Sequence, residues 1–93
     1  MRTRETNQDA QDAGALALTA LAWTLAEPGR AGRLLDVTGL TPADLRARAA
    51  DPVVLAAALG FLEAHEPDLV ACAADLEVKP EAIVAARRAL ESE

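Results

Sequence analysis

The chain has 93 residues, 52% of them hydrophobic, with 9 Lys or Arg against 15 Asp or Glu and a net charge of −6. That length and apolar content suit one domain with one modest core and exclude intrinsic disorder. The acidic balance opposes nucleic-acid binding, which draws its affinity from Lys and Arg on phosphates. The single cysteine excludes an intramolecular disulfide and makes a reducing cytoplasm the expected compartment.

Residues 1–11 (MRTRETNQDAQ) are polar and show no apolar period, so they are expected to form a flexible tail ahead of one helical domain over 12–91. A first helix is expected to start near Asp9 or Asp12, whose charge suits a helix N-terminus. It then runs through AGALALTALAWTLA, Ala13 to Ala26, without a single charge. Fourteen apolar positions fall short of the roughly 20 that span a bilayer. Glu5, Asp9 and Asp12 ahead of them are not the basic flank of an export signal.

A helix that is apolar all round needs neighbours on more than one side. Helical spacing puts Leu18, Leu21 and Leu25 on one side, which is assigned to the intramolecular core. Leu16, Ala20 and Trp23 fall nearly opposite and are the candidate interface, either core or contact with a second chain. Tryptophan is enriched at interface centres, which makes Trp23 the anchor of that face.

Pro28 and Gly29 end the first helix near Glu27, and PGRAGR reads as a turn into a short second helix, Ala31 to Val37. Gly39 stops that helix as a left-handed cap. LTPADL follows. Thr41 is an N-cap, Pro42 stands at the first helical position, Asp44 closes a capping box, and Leu40 and Leu45 bracket it as a hydrophobic staple. A third helix then runs to about Ala50, with Arg46 and Arg48 facing solvent.

Asp51-Pro52 opens a fourth helix, Pro52 to Ala64, with a broad stripe of Val54, Leu55, Ala58, Leu59, Phe61 and Leu62. Its other side (Val53, Ala56, Ala57, Gly60) carries small residues, against which another helix can pack closely. Pro67 starts a fifth helix, with Leu69, Cys72, Ala73 and Leu76 inward. Lys79-Pro80-Glu81 starts a sixth, with Ile83, Ala86 and Leu90 inward. LTPADL and VKPEAI echo each other at an offset of 38 residues, as two uses of one good helix start rather than a repeat. The fold class is all-α: a compact orthogonal bundle of five to six short helices around helix 1.

Chemistry-bearing residues are sparse. His65 is the only histidine and Cys72 the only cysteine, too few for a zinc site, which takes about four ligands. Cys72 sits on an apolar helical face in acidic surroundings, which suits a small core residue rather than a nucleophile. PGRAGR lacks both the preceding strand and the Lys-Ser or Lys-Thr pair of a phosphate loop. No catalytic, metal or cofactor site is therefore expected, and no enzyme.

Two function classes remain. The first is a protein–protein interaction or regulatory adaptor module, acting on an unidentified partner or as a homodimer. The second is a helix-turn-helix DNA-binding regulator in which helix 3 offers Arg46 and Arg48 to bases. The acids Asp36, Asp44 and Asp51 around those arginines count against it.

The Ala-Leu-x-Trp helix with its Glu-Pro break, the TGLTPADLRARA turn and helix, and the FLEAHEPDL segment together cover about Ala13 to Leu90. In these the chain resembles a family of small bacterial proteins, mostly alphaproteobacterial, classed as a domain of unknown function. The resemblance implies an all-helical cytosolic protein without established enzymatic activity. It assigns no functional residues.

Overall fold

Each of the chain's five prolines opens a helix. Pro lacks an N–H that the first turn cannot use anyway, and its fixed φ is already helical. The computed structural model describes the backbone of residues 2–92 and the side chains of 12–92. It contains α1 (Arg2–Leu25), α2 (Pro28–Thr38), α3 (Pro42–Arg48), α4 (Pro52–Glu63), α5 (Glu66–Leu76) and α6 (Pro80–Glu91), with no strand among the described residues. The radius of gyration is 12.8 Å, close to the roughly 12 Å of a compact chain of this size.

α1 begins earlier than Asp9 or Asp12, because the polar segment ahead of them holds no Pro or Gly to stop it. The expectation of a flexible tail over 1–11 lies outside the residues whose side chains are described.

α2 is longer than expected: PGRAGR is its first turns, not a linker. The Glu27 carboxylate accepts from the backbone N–H of Gly29 (2.8 Å) and Arg30 (3.0 Å). This N-cap and Pro28 start the helix at once, and burial of Leu34 offsets the cost of its two glycines. Gly39 ends α2 at φ 76°, its N–H bonded to the Leu35 carbonyl at 2.8 Å.

The capping box of α3 forms in full. Thr41 N–H donates to Asp44 Oδ2 (2.9 Å) and Asp44 N–H donates to Thr41 Oγ1 (3.1 Å). Its staple residues take the expected places, Leu45 buried and Leu40 packed on the core. α3 stops at Arg48 instead of Ala50, because Asp51 turns out of the helix to cap α4 through Val53 N–H (2.9 Å). The two echoing starts differ: Lys79 gives α6 no side-chain cap.

The core lies among α1, α4 and α6, which contact one another extensively. α2 packs on α1 and α4, and α5 closes the other side against α1, α4 and α6. Seven of the twelve residues of α4 are buried. The inward stripe predicted for α4 is buried throughout, as are Cys72 and Ala73 of α5 and Ile83, Ala86 and Leu90 of α6.

α1 departs from expectation. Leu21 is buried, but Leu18 and Leu25 are 46% and 37% exposed. The buried seam is instead Ala13, Ala17, Ala20 and Thr24, with Leu21 beside it. The inward side is turned about a quarter of a revolution from the leucines at 100° per residue. The Thr24 hydroxyl, wholly buried, is satisfied by donating to the Ala20 carbonyl at 2.9 Å.

Candidate functional site

An open groove of about 920 Å³ lies between α4 and α6. Its floor is the small-residue side of α4: Pro52, Val53, Ala56, Ala57, Gly60 and Ala64. α4 buries its large residues inward, and the short side chains that line this side form a trough rather than a ridge. Val53 stands at one end, 70% exposed.

Arg87, Leu90 and Glu91 of α6, with Glu63 of α4, form the other end. The Arg87 guanidinium is clamped between Glu63, through Nε, and Glu91, through Nη1 at 2.6 Å. The bond to Glu63 holds the Arg87 pKa above its ordinary value. Two carboxylates around one guanidinium leave this end with net negative charge. The Arg87 stem does not depend on Gly60: a methyl there would stand 3.8 Å from Arg87 Cδ, in ordinary contact.

A smaller groove of about 370 Å³ separates α1 from α6, walled by Leu16 and the alanines Ala82, Ala85 and Ala89. It contains the half-buried Leu16 of the candidate interface. Ala20 of that set is fully buried in the single chain and presents no surface. Trp23 is tied down within the chain. Its Nε1–H donates to Asp75 Oδ2 at 2.6 Å. The Arg30 guanidinium stacks 3.7 Å over its ring, and Arg30 Nη2 donates to the Trp23 carbonyl at 2.8 Å. Arg30 Nε is buried in the stack without a partner. Leu16, Ala20 and Trp23 therefore do not form one exposed patch.

Arg46 and Arg48 both reach solvent, from a helix of only seven residues. Arg48 is engaged by Asp51, with Nη2 3.2 Å from Oδ2. His65 is exposed at the start of α5, with Nε2 3.9 Å from Asp68, whose carboxylate also pairs with Arg33 at 3.1 Å. Cys72 of α5 is buried. Desolvation, helped by Asp75 and opposed by Arg30, pushes its thiol up to about 11. Burial of this kind disfavours the thiolate, the reactive form of cysteine. No group of three or more His, Cys, Asp or Glu among the described residues could hold a metal ion. No helix among them is long and apolar enough to cross a membrane.

The floor of the groove was legible as the small-residue side of α4. The clamp at its end was not. The i,i+4 spacing of Arg87 and Glu91 signals their pairing, but nothing in the sequence brings Glu63 to them. No curated protein and no solved structure significantly matches the chain. A family model does match, over residues 10–93, and the chain belongs to that family, described as protein of unknown function (DUF3572).

Proposed function

We propose that this protein is a non-catalytic interaction module, a regulatory adaptor that receives a helical segment of a partner protein in the α4–α6 groove. One observation carries the reading: the open groove of about 920 Å³ floored by small side chains, with Val53 70% exposed at its end. An amphipathic helix laid into an apolar groove is a recurring mode of recognition. Small residues on the receiving side let the incoming backbone approach closely, and the charged end supplies orientation. The burial of the lone thiol in the core suits a binding rather than a thiol-based catalytic role. A single reduced cysteine accords with work in the cytoplasm.

The nucleic-acid reading has less support. Arg46 and Arg48 stand on a helix of only seven residues beside the acids Asp44 and Asp51.

A photo-activated cross-linking residue at position 53, in the protein's own cells, tests the proposal. Adducts are expected from position 53 and not from position 70, which is exposed on α5. Equal or absent labelling at both positions overturns the groove as the docking surface.

A further inference from the structure

We infer that the occupant of the α4–α6 groove is α4 of a second copy, the two helices running antiparallel across a two-fold axis. This rests on the groove being the docking surface. It is carried by two complementarities along α4, each joining one end of the helix to the other.

The first is shape. Val53 projects at the start of α4, and Gly60 and Ala64 leave a hollow toward its end, with Ala57 between them. A two-fold contact is self-complementary: if one residue touches another, the reciprocal contact is made as well. Antiparallel pairing puts each Val53 into the hollow of the opposite copy, and Ala57 lies near the axis. Parallel pairing would set projection against projection.

The second is charge. Arg48 lies beside the start of α4, held to its cap Asp51 and half exposed. Glu91 lies at the far end, half exposed, sharing Arg87 with Glu63. The twelve residues of α4 span about 18 Å at 1.5 Å per residue, so the antiparallel arrangement brings Arg48 of each copy to the acidic end of the other. Both pairs form at once, which fixes the register.

Sedimentation equilibrium of the full chain, from micromolar to near-millimolar concentration, tests this. The expected mass is twice the 9.7 kDa of one chain. Val53→Glu and Ala57→Glu, each with unchanged far-ultraviolet circular dichroism, should weaken the dimer by about tenfold or more, the scale of losing a central contact. Arg48→Glu and Glu91→Lys should each weaken it. An equimolar mixture of those two variants should recover it, because both end contacts are then attractive again.

A single-chain mass at every concentration overturns the inference, as does a dimer that Val53→Glu leaves untouched or a mixture that fails to recover. A monomer that still cross-links to a different protein from position 53 overturns only the self-pairing and leaves the docking surface standing.

Discussion

α1 and α4 are both almost uncharged through the core, yet they turn opposite kinds of side chain inward. α4 buries Val54, Leu55, Leu59, Phe61 and Leu62 and leaves its small residues toward the groove. α1 buries Ala13, Ala17 and Ala20 and leaves Leu18 and Leu25 largely outside. The difference shows what burial requires in a small bundle. Where three helices meet, one of them must supply short side chains, because a large residue from each would hold the axes too far apart for close packing. α4 fills the centre and α1 gives way to it. An alanine in such a seam buries little area of its own, but it sets the distance at which its neighbours' leucines touch.

The largest effect should come from the filled side. Leu59 has no exposed surface, and Leu59→Ala should cost about 2–5 kcal/mol in chemical denaturation, transfer and cavity terms together. A loss below about 1 kcal/mol would show that α4 is not the centre.

The seam predicts the reverse asymmetry in α1. Ala17→Leu enlarges a residue with no exposed surface and should cost about 1–3 kcal/mol through overpacking. Leu18→Ala, one residue along, removes a side chain that is 46% exposed and should cost under about 1 kcal/mol. Equal costs for the two would break the comparison between the helices.

Helix starts come next. Thr41→Ala removes half of the capping box and should cost about 1 kcal/mol. The same box makes stability depend on pH. The Thr41 backbone and hydroxyl hold Asp44 below the ordinary carboxylate value, and backbone N–H groups do the same for Glu27 (Gly29, Arg30) and Asp51 (Val53). A carboxylate depressed on folding stabilises the native state above its unfolded value, roughly pH 4, and that stability is lost as pH falls through the folded value. Stability should therefore fall on acidification below about pH 4–5, with a shallower slope in Asp44→Asn. An unchanged slope would show that the box does not titrate with folding.

Much of this fold was legible because its signals are local. Pro after Thr41 or Asp51, Asp44 three residues after Thr41, and Gly39 after a helix each act within one turn of chain. α2 was half-read because Pro and Gly also signal turns, and the competing signal, the Glu27 carboxylate reaching forward to two backbone N–H groups, depends on a side-chain rotamer. The inward side of α1 was misread because a helix without charge has no polar face to mark its outside. Only the partner helices decide which side faces in, and they come from far along the chain. The same applies to Trp23: its aromatic character suggested an anchor for another protein, but its partners, Arg30 and Asp75, are supplied by α2 and α5. In the groove, the small residues of α4 could be read in advance, whereas the Glu63–Arg87 contact joins two helices that nothing local brings together.

The smallest effect concerns a position with no sequence signal. α5 ends on Glu77 at φ 58° and ψ 43°, the only non-glycine residue with positive φ among the described residues. The backbone there follows the same logic as at Gly39: Val78 N–H reaches back to the Ala73 carbonyl at 3.0 Å and closes the helix end. An L-residue in this region costs about 1–2 kcal/mol. Glycine avoids that cost but loses about 0.5–1 kcal/mol more backbone freedom on folding. Glu77→Gly should therefore stabilise the protein by up to about 1 kcal/mol, read as a higher midpoint in denaturant with unchanged slope. Glu77→Ala, which keeps the Cβ and removes only the carboxylate, should gain nothing. If alanine stabilises as much as glycine, the carboxylate among its acidic neighbours is the source of the cost and the backbone is not.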